Sequence, residues 1–245
     1  MNASPVFMMA DVRKRRVSAG GRSEFELVLP SFQVFAGDEI AVIGASGSGK
    51  STLVDLLVFA TRPSQAGLFE FRTPEDQGID IGSMWRSGAH DGLAELRKRY
   101  FGIVLQTGVL LRFLSVERNI RLARELLDLP DDGSVRQLAK RLGIDHLLDK
   151  FPEQLSAGER QRTAIARALA HNPAIIVADE PTASLDEANA NVIMSMLNEL
   201  VTQLGITLII TTHDTALIER YPFRVVELRV RSISSVRTSY PDFRT

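Results

Sequence analysis

The sequence predicts an α/β fold with a doubly wound core, and the arrangement of its apolar runs is the main reason. Four short runs are continuously rather than alternately hydrophobic, which is typical of strands in a parallel sheet covered on both faces. They are EIAVI (39–43), FGIVL (101–105), AIIVA (174–178) and TLIITT (207–212). Helical patterns separate them, as expected for strands alternating with helices. With 245 residues, the chain is long enough to bury a sizeable core.

Three of the helical patterns have one apolar face and end at a helix-stop signal. The faces are Leu53, Leu56, Leu57 and Ala60, ending at Arg62-Pro63; Ile165, Ala168 and Leu169, ending at Asn172-Pro173; and Met194, Leu197, Leu200 and Val201, ending at Gly205. These patterns predict one helix between each core strand and the next.

Four segments fall outside this alternation. Residues 7–35 contain the alternating patterns FELVL and FQVF, which predict antiparallel strands, whereas residues 115–150 are purely helical and predict an inserted helical lobe. Residues 72–92 are polar and glycine-rich and are expected to form a surface loop. The C-terminal segment from residue 225 predicts one or two edge strands and a tail.

Composition excludes several classes of protein. Lys and Arg number 29 against 30 Asp and Glu, so the net charge of −1 gives no general attraction to nucleic acid. The chain has no cysteine, which excludes disulfides and thiolate metal sites. Its N-terminus lacks the pattern of a secretory signal, and no apolar run approaches the roughly 20 residues of a membrane-spanning helix.

A glycine-rich phosphate loop follows the first core strand. The stretch GASGSGKS matches G-x-x-x-x-G-K-[ST] between a predicted strand and a predicted helix. Its glycines let backbone N–H groups approach phosphate oxygens, Lys50 can reach the β- and γ-phosphates, and the Ser51 hydroxyl can bind Mg²⁺. The residues expected to bind nucleotide here are Gly44, Ala45, Ser46, Gly47, Ser48, Gly49, Lys50, Ser51 and Thr52.

The other three core strands also end in polar residues. Gln106 follows the second strand, Asp179 and Glu180 the third, and His213 the fourth. Ligands of open α/β sheets bind beyond the carboxyl ends of the strands, so these residues are expected to act with the phosphate loop. Asp179 is suited to bind Mg²⁺, and Glu180 is suited to orient an attacking water. Gln106 could contact both the metal and the water, and His213 could contact the γ-phosphate. Each alone also fits a solvated turn or a structural strand end.

The stretch LSAGERQR has two interpretations. Ser156 and Glu159 form the S-x-x-E pattern of a capping box, which is explained by helix initiation alone. A helix N-terminus with small residues is also a place to bind a phosphate.

Together these motifs resemble those of ATP-binding cassette (ABC) ATPases. GASGSGKST is similar to the Walker A loop, Gln106 to the Q-loop, LSAGE to the signature, IIVADEP to Walker B, SLD (184–186) to the D-loop and His213 to the switch histidine. The resemblance implies a RecA-like P-loop NTPase core in one ABC ATPase domain, 1–245. It would carry an antiparallel β subdomain (about 1–38 and 64–100) and an all-helical subdomain (about 107–155).

The resemblance also implies how the motifs are used. Two copies would pack head to tail, so that Ser156, Ala157, Gly158 and Glu159 of one copy contact the ATP held by the other, with Asp186 at the same interface. Glu180, His213 and Gln106 would be catalytic, and Ser51, Gln106 and Asp179 would hold Mg²⁺. ATP and Mg²⁺ are the implied cofactors.

The implied partner is a separate membrane permease, because the sequence is similar to the lipoprotein-releasing and macrolide-exporter type. The subunit would then be cytoplasmic and peripheral on the inner face of the membrane, with no nucleic-acid partner. The apolar stretch GVLLRFLS (108–115) would line the groove for the permease, although an ordinary internal packing seam fits it equally well.

Three features depart from the family pattern. Arg16 and Val17 stand where an aromatic residue usually stacks on adenine, which predicts weak discrimination of ATP from GTP. Ala157 and Glu159 replace the usual glycine and glutamine of the signature, which predicts slowed turnover. The spacing from Lys50 to Gln106 is longer than usual.

Other functions remain open at this point. An ABC ATPase can signal through a membrane partner without transport, as in the cell-division type, or act as a nucleotide-gated dimer switch with little turnover. A DNA-repair or chromosome ATPase ranks far behind, because the chain has no sustained heptads and no cysteines.

Overall fold

The computed structural model describes residues 5–17, 24–106, 108–233 and 236–243. Residues 18–21 of the stretch expected near adenine, Thr107 at the start of the expected helical subdomain, the first four residues and the end of the C-terminal tail lie outside them. The chain divides into two compact units, Met1–Arg97 with Thr211–Thr245, and Lys98–Ile210.

The first unit contains seven of the described strands, in the spatial order β5-β4-β1-β2-β10-β9-β3. Its elements are β1 (Pro5–Val17), β2 (Glu24–Phe35), β3 (Glu39–Ile43), α1 (Lys50–Leu57), β4 (Leu68–Arg72), β5 (Gly78–Asp80), α2 (Ile81–Ser87), α3 (His90–Tyr100), α8 (Thr215–Ile218), β9 (Arg224–Ile233) and β10 (Val236–Phe243). As predicted, β1 and β2 are antiparallel, and β3 matches its predicted run residue for residue.

Three buried phenylalanines in mutual contact form part of the core of this unit. Phe7 of β1 and Phe71 of β4 lie with their ring centroids 5.4 Å apart, and the ring of Phe59 contacts both. Phe59 has a left-handed backbone (φ 55°) directly after α1. The helix therefore ends at Leu57, before the Pro63 stop that the sequence indicates, because the chain turns here to bury the ring.

The structure corrects the prediction of a surface loop over residues 72–92. This stretch forms β5, α2 and the start of α3. Ile81 and Trp85, one helical turn apart, are buried, and the Asp80 carboxylate caps α2 by accepting from the Ser83 N–H at 2.8 Å. Two buried side chains stabilise the helix in spite of its glycine-rich sequence.

The C-terminal segment forms strands, as predicted, but they are not at an edge of the sheet. β10 lies between β2 and β9, parallel to the former and antiparallel to the latter, and β9 is also paired with β3. Thr238 and Ser239 are buried in this interior position. The sequence of β10, VRTSYPDF, has no regular apolar alternation from which an interior strand could be predicted.

The second unit combines parallel strands in the order β8-β7-β6 with the helical segment between β6 and β7. Its elements are β6 (Phe101–Val104), α4 (Val116–Glu125), α5 (Ser134–Arg141), two 3₁₀ turns (Asp145–Leu147 and Pro152–Gln154), α6 (Ala157–Leu169), β7 (Ile175–Asp179), α7 (Glu187–Leu204) and β8 (Thr207–Thr212), whose last two residues belong to the first unit. The helical segment falls where the sequence predicts it.

Candidate functional site

The phosphate loop connects β3 to α1 in the first unit, and its backbone depends on glycine. Gly47 (φ 74°) and Gly49 (φ 97°) are in the left-handed region, and the Ser48 N–H donates to the Ala45 carbonyl at 3.0 Å. A Cβ on Gly49 would lie 2.5 Å from Cζ of Phe25, a distance that no side chain tolerates. The sequence motif therefore has both a conformational and a steric basis.

Lys50 lies back across this loop. Its side chain is only 5% exposed, and Nζ donates to the Gly44 carbonyl at 2.9 Å. The helix that it begins has Gly49 as N-cap, without a side-chain cap and without an acidic residue in its first turn. An α-helix leaves its first N–H groups without intrahelical partners, and together with the helix dipole they attract an anion. Loop, lysine and helix end thus form an arrangement that is able to bind phosphate.

Two other predicted residues of the first unit, His213 and Arg16, lie outside the phosphate loop. His213 is exposed directly after β8, where Asp214 caps α8 by accepting from the Leu217 N–H. Arg16, expected near adenine, forms an ion pair with Asp55 of α1 at 2.5 Å. The guanidinium at this position is thus held against the helix that follows the phosphate loop.

In the second unit, Gln106 lies near the Walker B acids. β6 and β7 are parallel and in register, with Val104 opposite Ala178, so both strands end at the same edge. Gln106 follows β6 by two residues and is exposed, and Asp179 and Glu180 stand at the end of β7. The structure therefore brings this amide and both carboxylates to one edge of the sheet, as predicted.

The backbone of Glu180 is unusual. Its φ is +47°, in the left-handed region that residues other than glycine rarely adopt, and its carbonyl accepts a hydrogen bond from the Ala183 N–H at 3.2 Å. Such conformations are typical of functional sites, where the surrounding structure offsets their energetic cost. Here the turn fixes the direction in which the Glu180 side chain leaves the strand.

Two residues that the sequence analysis did not identify hold the segment after Gln106. Asn119 of α4 is fully buried, accepts from the Leu111 N–H at 2.8 Å and donates to the carbonyls of Leu111, Leu114 and Ser115. Arg167 of α6 donates to the Val109 carbonyl at 2.8 Å and to that of Gly108. Burial lowers the pKa of Arg167. The only sign of this role in the sequence was an asparagine inside a helical pattern.

The signature helix α6 starts with a complete capping box. Ser156 Oγ accepts from the Glu159 N–H at 3.3 Å, and the Glu159 carboxylate accepts from the Ser156 N–H at 2.7 Å. This backbone donor, together with the Ser156 hydroxyl, lowers the pKa of Glu159. The interpretation of LSAGERQR as a capping box that starts a helix is therefore confirmed. Ala157 and Gly158 form the first turn behind Ser156, which is exposed.

Asp186 links the D-loop to the signature helix. It is the N-cap of α7, where its carboxylate accepts from the backbone N–H of Asn189 at 2.9 Å and from the side-chain amide at 2.6 Å. The backbone donor lowers the pKa of Asp186. Asn189 Oδ1 in turn lies 3.4 Å from the position of a Cβ on Gly158. The start of α7 therefore packs on the start of α6.

The described residues contain no cluster of three or more His, Cys, Asp or Glu side chains that could hold a metal ion. Nor does any described helix have the length and apolarity needed to cross a membrane.

Phosphate loop, Walker B strand end and capped signature helix together define an ATPase of the P-loop class. The model of the ABC transporter family matches residues 29–183. The chain therefore belongs to the ABC transporter family, and it is an ATPase cassette of that family.

Two curated relatives illustrate the similarity. A probable export ATP-binding/permease protein of Pseudomonas fluorescens is 37% identical over 231 residues, which is 92% of this chain and 33% of the relative. The macrolide export ATP-binding/permease protein MacB of Shigella flexneri is 34% identical over 229 residues, with the same coverage of 92% and 33%. The chain thus spans about a third of the length of the curated relatives it matches.

Solved structures of similar fold are also cassettes. A dimeric post-hydrolysis state of the ATP-binding cassette MJ0796, bound to ADP and Pi, superposes with a TM-score of 0.74 at 26% identity and covers 91% of this chain and 94% of that one. CbiO1 of Clostridium perfringens, part of the ABC transporter complex cbiONQ, gives 0.73 at 30% identity, with coverage of 91% and 84%.

Proposed function

We propose that this chain binds ATP with Mg²⁺, dimerises head to tail around it, and couples hydrolysis to the movement of a membrane permease. The observation that carries the proposal is the phosphate loop, in which Lys50 lies across left-handed glycines at the uncapped start of α1. A loop with this structure favours polyphosphate binding over a merely structural turn.

Each motif has a role in this proposal. The N–H groups of residues 44–52 and Lys50 would bind the phosphate chain. Ser51, Asp179 and Gln106 would hold Mg²⁺, which would neutralise charge on the phosphates. Glu180 accepts a proton from the water that attacks the γ-phosphorus, and the bond from that phosphorus to the ADP oxygen breaks. The products are ADP and phosphate. His213 contacts the γ-phosphate.

The dimer follows from the signature helix. Ser156, with the first N–H groups of α6, would bind the γ-phosphate of ATP held by a second copy, and Asp186 would lie at the same interface. The dimeric MJ0796 cassettes, which match this fold, support this arrangement. Hydrolysis would remove the shared phosphate contact, so that the dimer opens.

A candidate docking surface for the permease lies on residues 105–113, on both sides of Gln106. Phe113 is 76% exposed, Val109 is 51% exposed and Leu105 is also exposed. Three large apolar side chains exposed within nine residues favour a protein interface over an internal packing seam. The curated relatives are named ATP-binding/permease proteins, which supports a permease as the partner and a place on the inner face of the membrane.

Glu180→Gln is the variant that tests this function. We expect it to lose ATP hydrolysis by at least about a hundredfold, because the general base is removed, while it still binds ATP and accumulates a dimer. Phosphate release and light scattering measure the two effects. Glu125→Gln, on an exposed position of α4, is the matched control and should behave like wild type. An active Glu180→Gln enzyme would contradict the assigned role.

A dimer switch with little turnover is the second candidate, favoured by Ala157 and Glu159 in the signature. The same assay separates the two functions. Wild type that dimerises with ATP but releases no phosphate, even with its permease in lipid, would support the switch.

A further inference from the structure

Phe25 of β2 and Arg237 of β10 form a cross-strand pair beside the phosphate loop. The two residues are direct partners in the parallel pairing of these strands. Neighbouring partners in a sheet present their side chains on the same face. The ring of Phe25 lies against Gly49, so this face of the pair is the one next to the loop.

The guanidinium of Arg237 lies near a second glycine of that loop. Its two terminal nitrogens are 3.9 and 4.0 Å from the position that a Cβ on Gly47 would occupy. Arg237 is exposed, whereas the next two residues of β10, Thr238 and Ser239, are buried. The strand is therefore anchored in the sheet while this one long side chain extends to the loop.

The position is electrostatically unusual. Lys50 already brings one positive charge to the loop, with Nζ at 2.9 Å from the Gly44 carbonyl, and the start of α1 adds the positive end of a helix dipole. Arg237 is a second cation next to the same glycines. Lys50 and the positive helix end both repel it until an anion binds between them. A polyphosphate is the anion that such a site would bind.

We infer that Arg237 binds the phosphate chain of the nucleotide. Its planar fork can donate two hydrogen bonds to phosphate oxygens, which a single ammonium does less specifically. The inference rests on the proposed function, because it needs a polyphosphate in the loop. Arg237, a residue of the C-terminal strand outside every sequence motif, would join the groups that bind the nucleotide. Its contact with phosphate would not depend on the base.

The test compares binding of MgATP and of magnesium tripolyphosphate, which has no base or ribose. Arg237→Ala should weaken both by about tenfold, since one charge-assisted contact is lost, and Arg237→Lys should restore part of the loss. Arg229→Ala is the matched control: Arg229 is an exposed arginine of neighbouring β9 that pairs with Glu227 and Asp242. It should bind like wild type.

The possible failures can be told apart. If Lys50→Ala binds both probes like wild type, the proposed phosphate site is wrong. If Lys50→Ala loses binding while Arg237→Ala stays within twofold of wild type, only the role of Arg237 is wrong. If Arg237→Ala weakens ATP but not tripolyphosphate, the arginine contacts base or ribose, and the assignment to phosphate is overturned. The assignment is also overturned if Arg237→Ala shifts the unfolding midpoint of the nucleotide-free protein but leaves the affinity for both probes unchanged.

Discussion

The two helices that begin at proposed phosphate sites start in different ways. α1 begins at Gly49, with a left-handed φ of 97° and no side-chain cap. α6 begins at Ser156, with an extended backbone and a reciprocal capping box to Glu159. In α1 a glycine loop leaves the first N–H groups without a side-chain cap, whereas in α6 the chain itself satisfies some of them.

This difference fits two distinct tasks. The α1 end would hold its nucleotide throughout the cycle, so its donors are best kept for that ligand. The α6 end would meet a phosphate only when a second copy arrives, and without one its donors need partners. A capping box supplies them within the chain.

The largest expected effect is that of Gly49→Ala. The methyl group would lie 2.5 Å from Phe25 and the residue would keep a positive φ, so we expect the unfolding free energy to fall by about 3 kcal/mol and ATP affinity to fall with it. Gly133→Ala, at the left-handed N-cap of α5 (φ 77°), is the matched control. It has no atom within 4 Å of the new Cβ and should cost about 1 kcal/mol. Equal losses in urea unfolding would show that the contact with Phe25 does not matter.

Ser156→Ala should have an intermediate effect. Loss of the cap should lower the unfolding free energy by about 1 kcal/mol and should also weaken ATP-dependent dimerisation. Ser115 caps α4 in the same way, by accepting from the Arg118 N–H. Ser115→Ala should therefore cost similar stability and leave dimerisation unchanged in light scattering. If both variants dimerise equally well, Ser156 is only a cap.

The smallest effect concerns the pH dependence of the α6 cap. Because hydrogen bonds from Ser156 lower the pKa of Glu159 in the folded state, its stabilisation is complete above the unfolded pKa and is lost as pH falls through the folded one. The contribution should be about a few tenths of a kcal/mol, because the pair is exposed. Carbon NMR of the Glu159 carboxyl should show a pKa below the ordinary value of about 4.3.

Glu159→Gln keeps the cap geometry and should lose this acid dependence of stability in urea unfolding. An unchanged acid dependence would assign it to another group.

Local motifs were the most predictable part of this molecule. The phosphate loop, β3, β8 and the capping box are contiguous in sequence, so their residue types alone indicate conformation and chemistry. The α/β fold class and the membership of the ABC transporter family were confirmed by the structure and the comparisons. The residue roles and the subdomain bounds stay predictions.

Features that depend on distant residues were not predictable. The helix over Ile81–Ser87 was expected to be a loop, because the burial of Trp85 depends on its surroundings rather than on the local pattern. β10 was expected at an edge, although it pairs on both sides. The contact of Arg237 with the phosphate loop joins residues that are far apart in sequence. Such contacts arise only when the sheet is assembled.

Asn119 gives the segment after Gln106 a mechanical property. Its buried amide binds the backbone of Leu111, Leu114 and Ser115. To bend this stretch, several buried hydrogen bonds would have to break together. The segment that carries the exposed ring of Phe113 is therefore tied to α4, and a partner that displaces this ring would be expected to move the start of α4 with it.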